Sequence, residues 1–491
     1  MITKGSTVFI GLGLSLLIGP LIGMSNAGAE TFQYGPASVA PLAKRLSNAV
    51  VNISTSQTVK GPAGVPLPKV PKGAPFEDFF DDFFNKRGGV PHGDRKISSL
   101  GSGFVIDGKE GLIVTNNHVI EGAEEIDINF HDGSKLVVDK IIGRDTKADL
   151  ALLKVTPKKP LSDVKFGSSD TIEVGDWVMA IGNPFGLGGS VSMGIISAKS
   201  RDINSGPYDD YLQTDAAINK GNSGGPLFNM NGDVIGVNTA IISPTGGSIG
   251  IGFAVPSDTV SNVIDQLKQY GEVRRGWLGV KIQSVTDDIA DTLGIEENVG
   301  ALVAAVTPDS PASKAGLQPG DVILRFDSKD VTSMRGLPKI VAQAPIGKAV
   351  DVELLRKGQK QSTQVTVGRL EEDDDNASDL KSDDGSEDED PKGSTIIGLT
   401  LSPLSDDLRK KYGLDAKIKG VVVEAVDPQS PAATKGLKPG DVIVEAAQDA
   451  VSDPDDFAKS IDKVKKSGRK AVLLRVEDAK GDLRFVAVPV S

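Results

Sequence analysis

Two stretches of this chain repeat each other at a fixed offset, and that duplication limits the fold more than any single motif. Val303-Ala304-Ala305-Val306-Thr307-Pro308-Asp309-Ser310-Pro311-Ala312 is matched by Val423-Glu424-Ala425-Val426-Asp427-Pro428-Gln429-Ser430-Pro431-Ala432. Gly316-Leu317-Gln318-Pro319-Gly320-Asp321-Val322-Ile323 is matched by Gly436-Leu437-Lys438-Pro439-Gly440-Asp441-Val442-Ile443. Both offsets are 120 residues. The unit itself reads as roughly ninety residues, so the C-terminal half holds two copies of one small domain with an insert between them.

The insert is acidic. Glu371 to Asp390 hold twelve acidic residues against one lysine, Lys381, and supply −11 of the formal net charge of −12. The remainder is therefore near neutral, with no basic stripe to suggest nucleic acid. Without aromatics, such a run cannot bury enough apolar surface to fold, and self-repulsion extends it. A linker of this length and charge argues against tight docking between the repeats.

Upstream, from Gly101 to Pro256, short aliphatic runs alternate with Gly, Asn and Asp turns. Gly103-Phe104-Val105-Ile106, Leu112-Ile113-Val114-Thr115, Ile126-Asp127-Ile128, Leu150-Ala151-Leu152-Leu153, Trp177-Val178-Met179-Ala180-Ile181 and Val234-Ile235-Gly236-Val237 read as strands. Close spacing with few helical patterns between them argues an antiparallel barrel or sandwich. Ser257 to Tyr270 reads as a helix, with Val260, Val263, Ile264 and Leu267 on one face and Gly271 just past its end. A helix-like start at Pro41 to Leu46 and a short strand, Val50 to Ile53, precede the barrel.

The first thirty residues read as an export signal. Lys4 gives a thin positive start, Val8 to Met24 is mostly apolar, and Ser25-Asn26-Ala27-Gly28-Ala29 offers small-x-small cleavage sites. The competing reading is an uncleaved anchor that keeps the protein at a membrane surface, although the segment is at the lower limit for a span. Residues 57–97 are rich in Pro, Gly and charge and contain Phe76-Glu77-Asp78-Phe79-Phe80-Asp81-Asp82-Phe83-Phe84. Paired aromatics alternating with paired acids suit a sticky loop or short helix that touches a partner or a second copy, or one that folds back on its own domain.

Chemistry concentrates in Gly221-Asn222-Ser223-Gly224-Gly225-Pro226-Leu227. A side-chain-poor turn around one serine lets backbone N–H groups converge beside its hydroxyl, as acyl transfer requires. A serine nucleophile needs a base, and the chain has three histidines. His92 lies in the Pro/Gly-rich insert, His131 in a hairpin-turn sequence, and His118 directly after an apolar strand. Elimination favours His118. Asp149 opens an apolar strand, where a carboxylate needs a partner, so it suits the orienting acid. The order His118, Asp149, Ser223 is that of chymotrypsin-type enzymes. The absence of cysteine removes disulfides, thiolate nucleophiles and Cys-ligated metals.

Thr115-Asn116-Asn117-His118-Val119, Ala148-Asp149-Leu150-Ala151, Gln213-Thr214-Asp215-Ala216-Ala217-Ile218-Asn219, the serine heptapeptide and Gly252-Phe253-Ala254-Val255-Pro256 together resemble the HtrA (Do-type, DegP-like) family of ATP-independent periplasmic serine endopeptidases. The resemblance implies a mainly β chain: a chymotrypsin-like double β-barrel protease domain followed by two PDZ domains. It implies His118 as general base, Asp149 as its orienter and Ser223 as nucleophile. Gly221, Asn222 and Ser223 become oxyanion-hole donors. Residues 238–249 line the specificity pocket, where Ile241 and Ile242 favour small aliphatic side chains. In the first PDZ domain, Trp277, Leu278, Gly279 and Val280 form the carboxylate loop, to which Arg275 adds charge. The second domain begins Thr395-Ile396-Ile397-Gly398-Leu399 and lacks the Arg-Gly lead. Lys220 stands where many family members carry proline.

By the same resemblance the partners are unfolded polypeptides and their C-termini, with trimers or trimer-based cages and neither cofactor nor metal. The division is a signal over 1–29, a protease domain over 30–270, PDZ domains over 271–368 and 393–491, and a linker over 369–392. The rival readings are a membrane-tethered regulatory protease and a PDZ-based chaperone.

Overall fold

The computed structural model describes residues 38–59, 95–183, 189–219, 221–244, 246–295, 299–371 and 394–490. The expected export signal, the Phe-rich run, His92, Lys220 and nearly all of the acidic linker lie outside these residues.

The aliphatic runs become two antiparallel β units. The first is a seven-stranded sheet built on Val50–Val59, Arg95–Asp107, Leu112–Thr115 and Leu150–Lys154. The second is a closed six-stranded barrel that includes Trp177–Gly182, Pro226–Asn229, Val234–Ile241 and Gly252–Pro256. Leu112–Thr115 is buried at every position, as is Val234–Ile241. Strands covered on both faces lose the in–out alternation of a half-exposed sheet and read as continuous apolar runs. Phe104, Leu152, Met179 and Phe228 meet in a core shared by the two units, where each buried side chain contributes about 1.5–3 kcal/mol.

The helix Ser257–Tyr270 has the expected bounds. Its apolar face packs on that shared core, and Gly271 ends it in the left-handed conformation. Ser257 does not cap; its hydroxyl donates to the Gly167 carbonyl at 2.6 Å and ties the helix start to the barrel.

The two repeats fold alike. Each has a short helix started by Pro311 or Pro431, and each serine before it, Ser310 or Ser430, accepts a hydrogen bond from the third residue on. Asp321 pairs with Arg356 and Asp441 with Arg484, both carboxylates being almost fully buried. The expectation of loose repeats is corrected here. Ile289, Leu293 and Leu302 of the first share a core with Leu473, Phe485 and Ala487 of the second. Gln283 and Phe485 exchange two hydrogen bonds, at 2.8 and 2.9 Å. Apolar burial outweighs the linker because loop-closure entropy grows only logarithmically with length.

The first repeat also docks on the two upstream β units. Arg275 donates to Asp145 at 2.5 Å with both side chains buried, and its guanidinium lies 4.9 Å from the centre of the Tyr208 ring. Lys339 reaches Asp210 at 3.1 Å.

Candidate active site

Strand Leu112–Thr115 delivers His118 onto a one-turn helix, Asn117–Ile120. Asp149 sits at the end of the turn joining Lys140–Asp145 to Leu150–Lys154, in the left-handed conformation with φ 53°. That turn is closed by the pairing of Asp145 with Leu150 and by the Lys147 amide, which donates to Asp145 at 3.2 Å. The Asp149 carboxylate meets His118 twice. One oxygen accepts the His118 backbone N–H at 2.9 Å, and the other lies 2.5 Å from ring Nδ1. Asn116 donates to the Asp149 carbonyl at 2.7 Å and to Thr239 Oγ1 at 3.0 Å, tying both segments to the second barrel.

The two side chains are about a fifth exposed. Burial pulls the His118 pKa down, but the charge and hydrogen bond of Asp149 outweigh it and hold the imidazole above its ordinary 6.5. That is the behaviour of a base whose protonated form is stabilised by a fixed carboxylate.

Ser223 is buried on a turn between the seven-stranded sheet and the closed barrel. Its carbonyl accepts the Ser102 amide at 2.9 Å, and the Gly224 amide donates to Asn238 at 2.7 Å. Gly224, at φ 82°, is where the elements meet. A Cβ there would lie 2.3 Å from the Ser102 carbonyl and 2.4 Å from Thr115 Oγ1, and 3.1 Å from the Asn116 amide. Glycine therefore lets the serine turn close against the strand that carries His118.

Among the described residues, the amides of Gly221 and Ser223 donate to no acceptor. Asn222, expected beside them, is committed elsewhere. Its amide donates to Asn219 at 3.2 Å, and its side chain bonds Asn219 N and Ala217 O.

The other expected site residues fall in three places. Ile241 is 7% exposed and packs into the second-barrel core, while Ile242 is 44% exposed. Trp277, Leu278, Gly279 and Val280 line a groove with Leu337 and Val341 of the first repeat. Arg275, expected to add charge to that loop, is corrected: its guanidinium is buried against Asp145, because an arginine at the domain junction finds a carboxylate there.

Sequence reasoning missed the supports. Ser102 donates to the Gly221 carbonyl at 2.5 Å and accepts the Asn183 amide at 2.9 Å. Its flanking pair, Gly101 and Gly103, was the available signal. Asp145 and Thr239 carried none.

A serine turn closed against the strand that leads to a carboxylate-held histidine, set between two antiparallel β units, fits the trypsin-like serine protease class, here with two appended PDZ domains. The chain belongs to the HtrA-type, DegP-like family of serine endoproteases. Residues 101–237 match the trypsin-like peptidase domain, and residues 276–367 and 395–480 match the PDZ domain. The chain is 41% identical over 512 residues to a probable periplasmic serine endoprotease, DegP-like, of Brucella suis, covering 98% of this chain and 95% of that one. The same description belongs to a Pseudomonas fulva protein, 41% identical over 448 residues, covering 89% of this chain and 90% of that one. Among solved structures, the HtrA-type protease AlgW with decapeptide is 39% identical at a TM-score of 0.55, covering 68% of this chain and 99% of that one.

Proposed function

We propose that this serine endopeptidase is exported to the periplasm and there degrades unfolded or damaged proteins through an acyl-enzyme, with Ser223, His118 and Asp149 as its triad. The two-point hold of Asp149 on His118 carries the reading. His118 Nε2 accepts the Ser223 proton as Oγ attacks the scissile carbonyl. Asp149 keeps Nδ1–H in place and stabilises the imidazolium without taking its proton. The amides of Gly221 and Ser223 receive the developing oxyanion. His118 then protonates the leaving amine, and a water activated by the same base releases the acyl group.

Export rests on the leader-like residues 1–29 and on the periplasmic names of the relatives. Among the described residues no helix is long and apolar enough to cross a membrane. Substrate capture falls to the first PDZ domain, where a C-terminus adds to the sheet edge at Val280–Gln283 and its carboxylate meets the amides of Trp277 to Val280. Solved HtrA-type relatives carry peptides, which supports this mode. Ile242, the exposed one of the adjacent isoleucines, contributes the apolar wall of the specificity pocket. Assembly into trimers or trimer-based cages, a role under stress and a holding activity towards clients belong to the same reading. So does the division into 30–270, 271–368 and 393–491.

The test is Ser223→Ala with casein as an unfolded substrate. Cleavage is abolished while circular dichroism and suppression of client aggregation persist. Continued hydrolysis refutes the triad, and loss of aggregation suppression refutes the holding activity.

A further inference from the structure

The two PDZ domains differ at the edge where a peptide would add. Their loops share a fixed point: a Cβ on Gly279 would lie 2.2 Å from the Ser310 Cβ, and one on Gly398 would lie 2.2 Å from the Ser430 Cβ. In the first domain the chain before the loop turns away, and Gly276–Trp277 pairs with Gly368–Arg369. Among the described residues, Val280–Gln283 is left as the edge strand of its sheet.

In the second domain the chain folds back instead. Ser394–Ile396 pairs antiparallel with Leu399–Pro403 in the register Ile396 to Leu399, Thr395 to Thr400 and Ser394 to Leu401. The sheet order places this short strand outside Leu399–Pro403, on the side away from Val421–Val426. That is the edge left open in the first domain. The direction also matches. A C-terminal peptide runs antiparallel to this strand with its last residue at the loop, and Ile396 is the end of Ser394–Ile396 nearest the loop.

Two further features hold the strand. Ile396 and Ile397 pack against the core that contains Phe457 and Ile461 of the facing helix, as an apolar ligand end would. The reversal is a two-residue turn with φ 47° at Ile397 and 78° at Gly398, the left-handed pair that suits a tight hairpin. A β-branched residue is rarely found there, so the turn persists because the surrounding packing enforces it.

We propose that Ser394–Ile396 is a built-in ligand of the second PDZ domain, and that the chain therefore offers one open peptide receptor, the first domain. The second opens only when its own strand is displaced. This rests on the peptide-capture reading of the first domain.

The experiment is peptide binding by the full chain carrying Ser223→Ala, which prevents digestion. The probe is a decapeptide with an apolar free C-terminus, and its amidated form is the control. Calorimetry gives one peptide per chain, and hydrogen exchange on binding slows within 276–283 but not within 399–403. Two variants dislodge the strand, Ile396→Pro, which removes the N–H paired with Leu399, and Ile396→Asp, each checked for folding by thermal unfolding. In a folded variant stoichiometry rises from one to two, and protection extends to 399–403. Two peptides bound without either change, or one still bound by both folded variants, overturns the proposal. No binding by the parent with one peptide gained in a variant refutes the first-domain reading while supporting this one.

Discussion

Asp149 holds His118 by two different handles, its backbone N–H at 2.9 Å and its ring Nδ1 at 2.5 Å. The first fixes where the one-turn helix begins; the second fixes the ring and its tautomer. One carboxylate therefore sets both the position of the imidazole and the direction in which its pKa moves. Asp149→Asn keeps the shape but lets the amide donate where a carboxylate must accept. The expected loss in kcat is on the order of 10⁴-fold, with KM little changed. Steady-state kinetics on a peptide substrate check it; a loss below tenfold removes Asp149 from its role.

The pH dependence follows from the raised pKa of His118. Only the neutral imidazole can accept the serine proton, so activity falls with acid, with a midpoint above the ordinary 6.5. Stability runs the other way. A pKa raised in the folded state gives a stabilisation that is complete below 6.5 and lost as pH climbs through the folded value. The kcat/KM profiles of the parent and of Asp149→Asn check the activity limb, with the residual acid limb of the variant moved to lower pH, and denaturant unfolding against pH checks the stability limb. An unmoved acid limb assigns it to another group.

Gly224 is the point where the serine turn and the histidine strand touch. Gly224→Ala puts a methyl group against the Ser102 carbonyl and Thr115 Oγ1 at a φ that alanine avoids. A displacement of about 1 Å at such a site costs on the order of 10²-fold in rate. Assay of the folded variant measures it, and parent-like activity shows that the two elements need not meet so closely.

Arg275 and Asp145 form a buried pair at the protease–PDZ junction. Arg275→Met strands a buried carboxylate, at a cost of about 3–5 kcal/mol. The double change Arg275→Met with Asp145→Leu recovers most of it, because paired apolar replacements remove both desolvated charges. Denaturant unfolding of the three proteins gives the comparison. Equal loss in single and double variants shows that shape, not charge, holds the junction.

Much of this architecture was legible in the chain. The helix Ser257–Tyr270 announced both ends, through a helical spacing of Val260, Val263, Ile264 and Leu267 and a glycine at 271. His118 could be reached by elimination because histidine is scarce. The supports were harder to read: Ser102 had only its flanking Gly101 and Gly103 as a signal, and Asp145 and Thr239 had none. Ser102, Thr239 and Asp145 act through contacts with Gly221, Asn116 and Arg275 that span 119 to 130 positions of chain; only the contact of Asp145 with Lys147, two positions on, is local. Charge pattern also misled at the linker, since repulsion within 371–390 says nothing of the apolar faces that Leu293 and Phe485 present to each other. Arg275 read as a ligand group because its neighbours form the loop, whereas its partner lies in another domain.

The central claim is that Ser223 is the nucleophile, and covalent trapping tests it most directly. The full chain is treated with a fluorophosphonate, digested and read by mass spectrometry. A single phosphonyl adduct on the peptide containing Ser223 is expected, forming faster as pH rises through the His118 pKa and absent from Ser223→Ala. An adduct on a different residue, or equal labelling of Ser223→Ala, contradicts it.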